Sequence, residues 1–107
     1  MTPLICASSR GHTDTAKLLI EKGANLKAKD KNGLTALSYA SGLGHTDTAK
    51  LLIEKGANLE AKDNDGRTAL SCASSQGHTD TAKLLIEKGA NLEAEKKNGI
   101  TPLLSAC

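Results

Sequence analysis

GHTDTAKLLIEKGANL stands at residues 11–26, again at 44–59 and a third time at 77–92, without a single change. Gly11, Gly44 and Gly77 follow one another at intervals of 33 residues. A block returning at one fixed period is one supersecondary unit used repeatedly. Such a unit cannot bury its apolar face alone and does so by stacking on its neighbours. The rest of the chain links one copy to the next or begins a further one.

Inside the first block Ala16, Leu19 and Ile20 fall at helical spacing and Leu18 widens the stripe, which predicts a helix over about 13–22. Asp14 in its first turn suits the positive end of the helix dipole, and Gly23 stands where a left-handed C-terminal residue is expected. Upstream, Thr2-Pro3 reads as an N-cap and first helical residue, since Thr accepts from orphan amides and Pro has no N–H to lose. A short helix over about 3–10 follows, with Leu4, Ala7 and Ile5 inward and Gly11 as its stop. Thr35 caps the equivalent helix over about 36–43, and Thr68 starts the third pair. Asn32-Gly33, Asp65-Gly66 and Asn98-Gly99 are tight-turn signals, so each unit is joined to the next by a projecting, β-hairpin-like loop. The expected architecture is mainly α: one solenoid over 1–107, with helix pairs at about 2–25, 35–58 and 68–91 and a partial fourth unit at 101–107.

Composition agrees. Tyr39 is the sole aromatic residue, so apolar burial comes from many Leu, Ile and Ala in a regular lattice rather than from a few large anchors. The 14 Lys and Arg are interspersed with 12 Asp and Glu. No basic stripe and no set of aromatic stacking platforms points to nucleic acid. No apolar run approaches the ~18 residues of a membrane span, and no charged-then-apolar leader follows Met1. A soluble, cytoplasmic protein is expected. Cys6 and Cys72 lie two units apart in register. With packed units about 8 to 10 Å apart, they are beyond disulfide reach, and Cys107 is little better placed. The three thiols are expected to stay reduced, as small buried apolar groups.

The pattern resembles the ankyrin repeat over the whole chain. That family's signature of Thr-Pro-Leu-His-x-Ala, then Gly-His, then Gly-Ala appears here as Thr35-Ala36-Leu37-Ser38-Tyr39-Ala40, Gly44-His45 and Gly56-Ala57, with counterparts in every unit. Three departures stand out. Ala36 and Ala69 replace the signature Pro, a mild change for a good helix former. The signature His is Ile5, Ser38, Ser71 and Leu104, which puts its backbone ties in question. Thr15-Ala16, Thr48-Ala49 and Thr81-Ala82 stand where the family has Val or Ile, which lowers the expected stability by about 1 to 2 kcal/mol per unit at ~25 cal/mol per Å².

Residue types that suggest chemistry have structural readings. His12, His45 and His78 recur once per unit, too far apart to share an ion, and read as helix-start residues. Ser41, His45 and Asp47 mimic a nucleophile, base and orienter, but they belong to a duplicated turn with no implied oxyanion donor. Gly42-Leu43-Gly44 lacks the third glycine, preceding strand and lysine of a phosphate loop, and reads as a helix end. Neither a catalytic residue, nor a metal, nor a cofactor is expected. Lys29, Lys31, Lys62, Lys96 and Lys97 near the loop tips form either a solvated face or a rim that steers an acidic partner.

Where the units differ is informative. In ankyrin arrays the loop tips and first-helix ends line a concave partner-binding groove. The resemblance carries that role to Ser9, Arg10, Lys29, Lys31, Asn32, Leu34, Leu43, Lys62, Asn64, Asp65, Arg67, Ser75, Gln76, Glu95, Lys97, Asn98 and Ile100. Leu34, Leu43 and Ile100 are apolar where solvent is expected, and Arg10 and Arg67 are of a hot-spot type. The resemblance thus implies a non-catalytic module that binds a protein partner. The alternative is a structural or spacer array without a specific ligand, self-associating through uncapped ends that expose Leu and Ala.

Overall fold

A computed structural model describes residues 2–92. The third connecting loop, the fourth-unit stub and Cys107 lie outside these residues. Six helices follow one another: α1 (Pro3–Ser9), α2 (Thr13–Glu21), α3 (Ala36–Gly42), α4 (Thr46–Glu54), α5 (Ala69–Ser75) and α6 (Thr79–Glu87). The first three, expected to run to about 10, 22 and 43, each end one residue earlier because a glycine closes the turn that follows. At α1, Gly11 takes φ +73°, its N–H donates to the Ser8 carbonyl at 3.2 Å, and the His12 N–H reaches back to the Ala7 carbonyl at 3.0 Å. These two bonds form a Schellman cap, which turns the chain through a conformation that only glycine adopts without strain.

The short helices α1, α3 and α5 stack as one layer and α2, α4 and α6 as the other, with α1 against α2, α3 against α4 and α5 against α6. Between the layers lie Leu4, Leu37 and Leu70 from the short helices, with Ala49, Leu52 and Leu85 from the long ones, all almost fully buried. Leu18 does not widen the buried stripe as expected and is 53% exposed. Its counterparts Leu51 and Leu84 are half-buried, since each has a preceding helix pair to lie against.

At the N-termini of α3 and α5, Thr35 and Thr68 accept from the backbone N–H of Ser38 and Ser71, and the paired hydroxyls lie 3.1 and 3.3 Å apart. The serine that replaces the signature histidine thus keeps the helix start tied. Thr48 and Thr81 are buried, yet not merely smaller than Val. Their hydroxyls bond those of Thr13 and Thr46 in the preceding pair, at 2.7 and 2.8 Å. A polar rung between units therefore offsets part of the missing methyl contacts. His45 is a second rung: its Nε2 lies 3.1 Å from the Ser9 carbonyl, and a carbonyl only accepts, so Nε2 carries the proton.

Candidate functional site

The two described loops between units are each built on an aspartate. Asp30 Oδ1 accepts from the N–H groups of Asn32 (2.9 Å) and Leu34 (3.0 Å), while the Asp30 N–H donates to the Leu34 carbonyl at 3.0 Å. The carboxylate thereby replaces the backbone acceptor that a strand pair would use, and no strand forms among the described residues. The Asn-Gly signal is a tight turn, but not of the two-residue kind that needs both residues at positive φ. No described non-glycine residue has positive φ, and Gly33 alone turns, at φ +81°. Asp63 repeats the arrangement with Asp65 (2.8 Å) and Arg67 (2.9 Å).

What holds each aspartate from the other side differs. The Tyr39 hydroxyl, on α3, donates to Asp30 Oδ2. This hydrogen bond, ahead of the backbone N–H groups, holds the Asp30 carboxyl below its ordinary range, and in return the Tyr39 hydroxyl is pushed up to about 12. At the next loop the Arg67 guanidinium plays this part: Nε lies 3.1 Å from Asp63 Oδ2 and a second nitrogen 3.3 Å from Asp65. Arg67 is therefore occupied in closing its own turn.

The loops also stack. Asn64 donates from its backbone N–H to the Asn32 carbonyl and from its side chain to the Lys31 carbonyl, both at 3.0 Å. Lys29 Nζ donates to the Lys62 carbonyl at 3.0 Å. A Cβ on Gly33 would sit 2.6 Å from the Asn64 side chain, so the second loop is laid on bare backbone of the first.

A groove of about 280 Å³ runs from these tips along the edges of α3 and α5, lined by Leu34, Ser38, Tyr39, Gly42, Leu43, Arg67, Cys72, Ser75 and Gln76. The structure thus brings together five of the residues singled out from the sequence: Leu34, Leu43, Arg67, Ser75 and Gln76. Leu43 is 51% exposed although apolar. Lys29, Lys31, Asn32, Lys62, Asn64 and Asp65 are exposed on the tips beside it, and Ser9 and Arg10 hold the corresponding place at the end of α1. Glu95, Lys97, Asn98 and Ile100 lie outside the described residues. Sequence reasoning missed Tyr39 and Cys72. They occupy a position that reads Cys6, Tyr39, Cys72 and Ser105 along the chain, so the same criterion of difference between units identifies it. The expectation of buried thiols is corrected as well: Cys6 is exposed and Cys72 half-buried in the groove wall, because this position faces the open edge of the short-helix layer.

Ser41 Oγ is buried without a hydrogen-bond partner, and His45 Nε2 is engaged by Ser9, so the two form no relay. Among the described residues no group of three or more His, Cys, Asp or Glu converges as a metal would require. None of the described helices is long and apolar enough to cross a membrane.

A family model described as ankyrin repeats (3 copies) matches residues 1–63 and 57–107. The chain belongs to the ankyrin-repeat family. No curated protein matches it by sequence. Ankyrin repeats are generally protein–protein interaction modules and typically not enzymes. Within this ankyrin array the identical sequence lies in the repeated block, and the groove is made of what lies between the copies.

Proposed function

We propose that this ankyrin array is a non-catalytic, cytoplasmic module that binds a protein partner along the loop tips and the exposed edges of α1, α3 and α5. The observation that carries it is Leu43, half-exposed in a groove whose other walls are Tyr39, Cys72 and Gln76, on a scaffold held by repeated polar rungs. A pre-formed apolar cleft with a polar rim is what a partner side chain needs in order to dock without reorganising the receptor. The test is affinity capture from cytosol with the chain and with a Leu43→Ala, Gln76→Ala variant. Both side chains are exposed, so the change spares the fold. A partner retained by the parent and lost from the variant supports the reading, and an undiminished one rejects it. Arg67→Ala is a poorer probe, because it also strips the buried Asp63 carboxylate of its guanidinium.

A further inference from the structure

We propose that the segment gripped by this groove is acidic: a stretch of polypeptide presenting one large apolar side chain flanked by Asp or Glu. The inference rests on the groove reading above and adds the chemistry of the occupant. The floor of the groove is neutral, for α1, α3 and α5 contain no charged residue at all. The rim is not neutral. Its carboxylates already have partners in the chain: Asp30 has Tyr39 and two backbone N–H groups, the buried Asp63 has Arg67 and two backbone N–H groups, and the exposed Asp65 has Arg67 at 3.3 Å. Of the cations, Arg67 is engaged with these carboxylates and Lys29 with the Lys62 carbonyl, and the others are not. Among the described residues both salt bridges belong to Arg67, which leaves the exposed Arg10, Lys31 and Lys62 without a carboxylate partner. Lys31 and Lys62 stand on the stacked turns that form one end of the groove, and Arg10 is in register with Leu43 and Gln76 at the other.

A cleft of about 280 Å³ is at or below the lower end of ligand pockets, ~300 Å³. It suits a single anchoring side chain rather than a whole ligand. Apolar contact at the centre and complementary charge at the rim divide the work: the anchor sets the dissociation rate, and the rim steers encounter and rejects like-charged partners. Single-stranded nucleic acid fits less well. It needs faces on which successive bases stack, whereas Tyr39 is the lone aromatic and is half-buried with its hydroxyl fixed to Asp30.

Selection of a random-peptide library on the full chain, followed by titration of the enriched peptides, tests this. The expected consensus is one Leu, Met or Phe with neighbouring Asp or Glu. Binding is lost with Leu43→Ala, weakens on the order of tenfold with Lys31→Glu plus Lys62→Glu, and falls as salt is raised. A peptide with Lys in place of its acids should recover binding to the doubly reversed chain. A neutral or basic consensus that still needs Leu43 overturns the acidic occupant and leaves the groove reading standing. Peptides indifferent to Leu43 overturn both. A single-stranded oligonucleotide that displaces the peptides overturns the polypeptide assignment, and bound peptide lost to self-association as protein concentration rises makes a second copy of the chain the occupant and overturns the acidic segment.

Discussion

Two serines and one tyrosine carry the sharpest consequences at the scale of the residue. Ser8 and Ser41 each bury a hydroxyl with no hydrogen-bond partner, at a position where the third unit's Ser74 is half-buried. A hydroxyl removed from water and left unpaired is unfavourable, and Ala is the better helix former. Ser41→Ala should therefore raise stability by about 1 kcal/mol, read as a higher denaturant midpoint at unchanged slope; a lower midpoint contradicts the assignment. Tyr39 is the sole tyrosine and there is no tryptophan, so its titration can be followed by tyrosinate absorbance without interference. The native transition should lie at about 12 and return towards the ordinary 10.0 in Asp30→Asn. The linkage has two limbs. Tyr39 is raised, so its contribution to stability is complete below pH 10.0 and is lost as pH climbs to about 12. Asp30 is lowered, so its contribution is present above about 3.8 and is lost as pH falls through the depressed value. Tyr39→Phe should weaken both limbs together.

Among the elements, the loops were the part least legible in the sequence. The limits expected for the first three helices were within a residue, because a Thr cap on the short ones, a 3.6-residue apolar stripe on the long one and a glycine stop after each are local signals. Asn32-Gly33 revealed that a turn exists, but not that Asp30 is its framework, since an aspartate in a polar loop reads the same whether or not its oxygens meet backbone N–H groups. Nor was loop stacking visible, because Asn64 and Gly33 meet across units. Two glycine substitutions separate backbone strain from that contact. Gly56→Ala meets open space and bears only its φ of +100°, a cost of about 1–2 kcal/mol. Gly33→Ala bears the same strain and also drives a methyl group into Asn64, which adds roughly 1–3 kcal/mol. Equal losses in chemical denaturation would show that the loops do not stack as described.

For the molecule as a whole, identity and difference between units divide the labour. The sixteen-residue block supplies the long helices, the Gly and His turns and the threonine rungs that every unit must share to stack. The outward side chains of the short-helix edges and loop tips differ from unit to unit even where the loops stack, and there the chain places Leu43, Tyr39, Arg10, Lys31 and Lys62. The division was readable in the sequence as repetition. Which of the differing residues meet in one groove was not, because Leu34, Leu43 and Gln76 come together only through the stacking of α3 on α5. Backbone amide chemical shifts, followed while a groove-selected peptide is titrated into the labelled chain, test this directly. Perturbations should cluster at 30–34, 38–43, 63–67 and 72–76 and spare the outer helices at 46–54 and 79–87. Perturbations confined to the outer helices would contradict the account.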